Sequence, residues 1–124
     1  MSKKRILVVD DESMITSAFK EFLERTGKYE VREENSGIGA LDAVREFRPD
    51  LVLLDILLPD LDGASVAAAL KQDEDLKDIP IVFLSGLLKR RDVKDRGREI
   101  GGYPFLAKPI KPAEVLRVVE EILQ

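Results

Sequence analysis

Three short stretches carry only apolar residues: Ile6-Leu7-Val8-Val9, Leu51-Val52-Leu53-Leu54 and Ile81-Val82-Phe83-Leu84. Continuous runs of this length suit strands buried on both faces of a parallel sheet. Tyr29-Glu30-Val31-Arg32 alternates instead, as an edge strand does, and Phe105-Leu106-Ala107 is a short fifth candidate ahead of Lys108-Pro109. Between the runs, apolar residues recur at steps of three and four. The sets are Ile15, Phe19, Phe22 and Leu23; Leu41, Val44 and Phe47; Val66, Ala67 and Leu70; and Val115, Leu116, Val119, Ile122 and Leu123. Each set lines one face of a helix. Gly27 reads as the stop of the first helix, Ser36 or Asn35 as the cap of the second, and Asp62 as the cap of the third. Pro112 fits the first turn of the last.

The stretch from Leu87 to Ile100 is crowded with Lys89, Arg90, Arg91, Lys94, Arg96 and Arg98 and interrupted by Gly97. It is read as the remaining helix. Five βα units with short connections predict an α/β three-layer sandwich, a parallel sheet of five strands with right-handed crossovers and helices on both faces.

Composition narrows the chemistry. The 124 residues, 13.9 kDa, suffice for one core and not two, so residues 1–124 are expected to form a single domain. With 44% apolar and 35% charged residues the chain can fill that core and still solvate its surface. No apolar run approaches the roughly 18 to 20 residues that span a bilayer, and no secretory leader is expected at the amino end. There is no cysteine, hence no disulfide, thiolate zinc site or thiol nucleophile, and no histidine, hence neither the usual general base nor the commonest metal ligand. A net charge of −4 and a pI near 5.0 argue against direct nucleic acid binding by the surface as a whole. Carboxylates, lysines and hydroxyls must carry the chemistry.

In parallel sheets ligands bind beyond the carboxyl ends of the strands. There the apolar runs stop in reactive residues: Asp10-Asp11-Glu12, Asp55, Ser85-Gly86 and Lys108-Pro109. The predicted amino ends hold no comparable set. An Asp at a strand end is more often a turn former or cap, and Asp11 could simply cap the helix after it. Several carboxylates in one crevice, however, require a counter-ion, and a few hard oxygen ligands with room for water suit Mg²⁺. A carboxylate beside Mg²⁺, a lysine and a hydroxyl has the parts for accepting a phosphoryl group.

With these residues in place, the sequence resembles the receiver domain of two-component response regulators (CheY-like) over essentially its whole length. Val8-Val9-Asp10-Asp11-Glu12 is similar to the family's acidic pair. Leu53-Leu54-Asp55-Ile56-Leu57-Leu58-Pro59-Asp60-Leu61-Asp62-Gly63 is similar to its phosphoacceptor strand and loop. Ser85, Phe105 and Lys108-Pro109 match the hydroxyl, aromatic-switch and lysine-proline positions.

The resemblance implies a flavodoxin-like strand order 2-1-3-4-5 and a cis bond before Pro109. It implies phosphorylation of Asp55 by a sensor histidine kinase or phosphotransfer protein. Asp11, Asp55 and the Leu57 carbonyl would hold Mg²⁺, with Asp10 acting through a metal-bound water. Lys108 and Ser85 would contact the phosphoryl oxygens, and Ser85 with Phe105 would relay the change to the face of the fourth helix, fifth strand and fifth helix. It further implies a cytoplasmic protein that is a switch and not an enzyme with a separate substrate. Glu114, Glu120 and Glu121 could complement the basic segment across a partner or dimer interface, including a phosphorylation-dependent homodimer, unless that segment is simply a solvated helix face. Apolar Leu57 and Leu87 beside the acceptor predict slow self-dephosphorylation.

The runner-up is a Mg²⁺-dependent phosphohydrolase with an aspartyl nucleophile. Such enzymes, by family comparison, carry a second acid two residues after the nucleophile, and Leu57 stands there. A phosphorylation-independent interaction module would be favoured had Asp55 or Lys108 been replaced.

Overall fold

A computed structural model describes residues 2–86, 99–100 and 102–123. Its elements are β1 (Lys4–Val9), α1 (Ser13–Arg25), β2 (Tyr29–Glu34), α2 (Gly37–Phe47), β3 (Leu51–Asp55) and α3 (Gly63–Lys71). After these come β4 (Ile81–Ser85), β5 (Glu99–Ile100), β6 (Tyr103–Ala107) and α4 (Pro112–Ile122). The sheet runs β2-β1-β3-β4-β6-β5. Its first five members are parallel, which is the expected 2-1-3-4-5 order with β6 in fifth place.

The apolar runs form strands because both of their faces are covered. Ile6, Val8, Leu51, Leu53, Val82, Leu84 and Leu106 pack with Phe19 and Leu23 of α1 and Val115 and Val119 of α4. The alternate residues Leu7, Val9, Val52, Leu54, Ile81, Phe83 and Phe105 pack with Ala40 and Val44 of α2 and Val66 and Leu70 of α3. A period of two thus serves two cores at once. β2 pairs only with β1 and keeps the mixed burial of an edge.

Helix ends follow the sequence signals with two exceptions. Ser36 Oγ accepts from Gly39 N at 3.0 Å, Asp62 Oδ1 accepts from Ser65 N at 2.7 Å, and Pro112 opens α4. Gly27, at φ 77°, turns the chain out of α1 in a conformation other residues adopt at a cost. Asn35 does not cap α2. Asp11 does not cap α1, whose N-cap is Glu12 with no side-chain hydrogen bond.

One reading needs correction. Glu99 and Ile100, expected at the end of a helix, form β5, antiparallel to β6 with Ile100 opposite Tyr103 and Glu99 opposite Pro104. β6 is therefore not the outermost strand. Pro104 has no N–H to give a ladder, which fits a pairing of only two residues. The basic stretch 87–98, with Leu87, Arg90 and Arg91, lies outside the described residues. Among those described, no helix is long and apolar enough to cross a membrane.

Candidate functional site

The parallel register carries the polar residues to one rim. Val9 stands beside Leu54, Asp55 beside Leu84 and Ser85 beside Ala107, so Asp10, Asp55, Ser85 and Lys108 leave their strands at neighbouring points. The pleat aligns three of them further. Asp10 continues the row of Ile6 and Val8, Asp55 that of Leu51 and Leu53, and Lys108 that of Leu106, all on the side of α1 and α4.

Asp10 and Ser85 are fully buried and Asp55 nearly so, while Asp11 is exposed. One carboxylate oxygen from each of Asp10, Asp11 and Asp55 falls within 4.8 Å of the others. Lys108 Nζ lies 2.8 Å from Asp10 Oδ2 and 3.2 Å from Asp55 Oδ2, with Glu12 Oε1 at 3.9 Å. The contact to Asp55 is a hydrogen bond. The contact to Asp10 has a hydrogen bond's length without its direction, so Oδ2 is a buried acceptor with no aligned donor among the described residues. The remaining oxygens receive main-chain N–H groups, Glu12 to Asp10 Oδ1 at 3.0 Å and Leu57 to Asp55 Oδ1 at 3.2 Å.

These contacts set the protonation balance. Burial, and then the charge of Asp10, push the Asp55 carboxyl above its ordinary value; Lys108 and the Leu57 N–H pull it back only in part. For Lys108, burial is the largest single influence and favours loss of the proton. The contacts with Asp10 and Asp55 together outweigh it and raise the value.

Divalent cation binding fits this arrangement. Two buried carboxylates and an exposed one lie together, only the buried two are in contact with Lys108 among the described residues, and a buried acceptor lacks an aligned donor. Oxygen-only ligands with an open side suit Mg²⁺.

Two further residues brace the site and were not legible as such in the sequence. Asn35, at the end of β2, donates from Nδ2 to the main-chain oxygen of Asp10 at 2.7 Å and to Thr16 Oγ1 at 3.3 Å. Asp60, in the loop after β3, accepts from Gly37 N at 2.8 Å and Ile38 N at 3.0 Å, the first turn of α2. Those N–H groups hold its carboxyl below the usual range. Both bridges join residues nineteen or more apart, beyond any local motif.

The peptide bond before Pro109 is cis, as expected. Phe105 is 5% exposed, packed in the core on the α2 and α3 side with Phe83, whose ring meets Tyr103 edge-on at 5.3 Å. Leu57 is 56% exposed at the mouth of the site. Of the three acids matched with the basic segment, Glu120 pairs with Lys28 at 3.5 Å and Glu114 also has a partner.

The site is thus an acid cluster with a lysine at the carboxyl rim of a doubly wound parallel sheet. The family model of the response regulator receiver domain matches residues 6–120, and the chain belongs to that family, a phosphoryl-accepting switch of two-component signalling. It is 33% identical over 120 residues to the polar-differentiation response regulator DivK of Brucella ovis, covering 97% of this chain and 96% of that one. Chemotaxis protein CheY4 of Vibrio cholerae superposes with a TM-score of 0.82 at 26% identity, over 98% of this chain and 99% of that one. The receiver domain of sensor histidine kinase PA1611 of Pseudomonas aeruginosa also superposes at 0.82, with 28% identity over 99% and 100% of the chains. That structure has a magnesium ion coordinated in its active site cleft.

Proposed function

We propose that residues 1–124 act as one receiver domain in which Asp55 takes a phosphoryl group from the phosphohistidine of a sensor histidine kinase or phosphotransfer protein. The observation that carries this is the gathering of Asp10, Asp11 and Asp55 within 4.8 Å of one another, with Lys108 against Asp10 and Asp55. A carboxylate oxygen of Asp55 attacks phosphorus and forms an acyl phosphate. The P–N bond breaks, and its electron pair leaves on the donor imidazole.

Asp11, Asp55 and the Leu57 carbonyl are the residues that would hold Mg²⁺, with Asp10 behind them, and the ion would supply neutralising charge for the phosphoryl oxygens. Lys108 and Ser85 would take phosphoryl oxygens of their own, so Lys108 exchanges part of its contact with the two carboxylates for one with the phosphoryl group. Ser85 and Phe105 would pass that change to the surface. No separate substrate is turned over, and the domain works in the cytoplasm.

A groove of about 610 Å³ supports a docked donor. Met14, Ile15, Ala18 and Phe19 of α1 face Pro109 and Ile110 across it, with Lys108 and Glu12 also in its lining. Met14 is 85% exposed. This apolar surface suits a helix of the donor that presents its histidine toward Asp55.

Incubation with acetyl phosphate and Mg²⁺ tests the reading. Uptake of one phosphoryl group is expected in the wild type and none in Asp55→Asn, because an amide is a poor nucleophile. Undiminished labelling of the Asn variant would move the acceptor elsewhere.

A further inference from the structure

The loop between β3 and α3 is fastened at several points. Gly63 N donates to Ile56 O at 2.8 Å, and Asp62 turns back onto Ser65 N. A side chain at Gly63 would strike the Asp55 main-chain oxygen, and one at Gly37 would strike that of Leu61, so the loop lies directly against α2 as well. Asp60 makes the link to α2. Its two oxygens each take one N–H of residues 37 and 38, twenty-three and twenty-two positions away.

We propose that Asp60 is a positioning residue for the phosphoacceptor site: its carboxylate locks residues 56–62, and with them the main chain of Leu57, onto the first turn of α2. This deepens the reading of Asp55 as acceptor and rests on it for the role of Leu57. The geometry requires a carboxylate, since both oxygens are occupied by donors. An amide would keep one acceptor and turn its NH₂ toward an N–H. The site at the helix start also favours negative charge. Leu57 N donates to Asp55 Oδ1, so the locked main chain orients the acceptor carboxylate as well as the carbonyl assigned to the metal. Groups that hold ligands in place without touching the metal affect affinity by roughly 10- to 100-fold.

Ser36 supplies the control. Its Oγ accepts from Gly39 N at 3.0 Å, so Ser36→Ala also removes an acceptor from the start of α2 but cuts no link to the loop. Mg²⁺ affinity by calorimetry and amide hydrogen exchange at Leu57 are read in the wild type, Ser36→Ala, Asp60→Asn and Asp60→Ala. Asp60→Ala is expected to weaken Mg²⁺ about tenfold and to speed Leu57 exchange, with Asp60→Asn between it and the wild type. Ser36→Ala should match the wild type in both readouts while melting earlier. Wild-type values in the Asp60 variants, or equal losses in Ser36→Ala, overturn the proposal. If the wild type itself binds no Mg²⁺, the metal assignment fails, and Leu57 exchange alone then decides the positioning role. Should Asp60→Ala not fold, Asp60→Asn against Ser36→Ala carries the same decision.

Discussion

After β1 the chain carries Asp10, Asp11 and Glu12; β3 ends in Asp55, and the loop after it carries Asp60 and Asp62. In the first loop no carboxylate caps a helix. Asp11 is exposed and caps nothing, α1 begins without a side-chain cap, and Asp10 is buried with one oxygen lacking an aligned donor. In the second loop Asp60 and Asp62 are committed to main-chain N–H groups of α2 and α3. Capping satisfies a carboxylate locally and adds stability; leaving it uncapped keeps it available to a cation. Residues of one type at one rim therefore divide into those that build the site and those that do its chemistry.

The contrast is broken most directly at Lys108, the cation that stands between the two loops. Lys108→Ala leaves Asp10 and Asp55 buried together with no other counter-charge in contact among the described residues. In the absence of divalent ions this is expected to cost about 3 kcal/mol at neutral pH, the lower end for breaking a buried pair, read from urea unfolding. Added Mg²⁺ should restore much of it, because an ion that binds only the folded state stabilises that state. Mg²⁺ affinity itself should be no weaker than in the wild type. An undiminished unfolding midpoint without Mg²⁺ would mean that the two carboxylates share a proton and that the first loop is less strained than its contacts suggest.

Asp62 and Asp11 carry opposite expectations. Asp62→Ala should lose about 1 kcal/mol of stability, the usual value of an N-cap, and leave Mg²⁺ affinity where it was. Asp11→Ala should do the reverse, with stability within about 0.5 kcal/mol as for an exposed group and Mg²⁺ binding weakened at least about tenfold by loss of a direct ligand. Thermal melts and Mg²⁺ titration of the two variants give all four values. Comparable losses of metal affinity in both would erase the distinction between the loops.

Most of this division was invisible along the chain. The runs Ile6–Val9, Leu51–Leu54 and Ile81–Leu84 announced central strands because burial on two faces leaves no room for polar positions. Their polar ends announced Asp10, Asp55 and Ser85, and the end of Phe105-Leu106-Ala107 announced Lys108, because a parallel sheet has only one carboxyl rim. The cap at Asp62 was legible because it is local, three residues from its donor. Asn35 and Asp60 were not, because their partners at Asp10, Gly37 and Ile38 are adjacent only after β1, β2 and β3 are paired. Local rules also allowed Asp11 as a cap and Asn35 as an alternative to Ser36; tertiary contacts decided otherwise. The helix expected through Ile100 failed at its end for a related reason: Glu99 and Ile100 pair with β6, and no periodicity in so short a segment foretells a strand partner.

The smallest expected effect separates Asp55 from Asp60, five residues apart on one strand and loop. Asp60, held below its ordinary value by the N–H groups of Ile38 and Gly37, contributes stability that is fully present above the unfolded value of about 3.9. That contribution is lost as pH falls through the lower folded value. Asp55, raised mainly by burial and by Asp10, has the opposite sign. Its protonation favours the fold as pH falls through the raised folded value, and the gain is complete below the unfolded one. In metal-free protein these two carboxyls therefore contribute opposed slopes to the acid limb of the stability curve. Asp55→Asn should steepen the loss between about pH 5 and pH 3, bracketing the unfolded carboxyl value, because the compensating proton uptake is gone. Asp60→Asn should flatten it. Urea unfolding midpoints across that range decide the matter, and parallel curves for the wild type and both variants would show that neither carboxyl differs in proton affinity between the folded and unfolded chains.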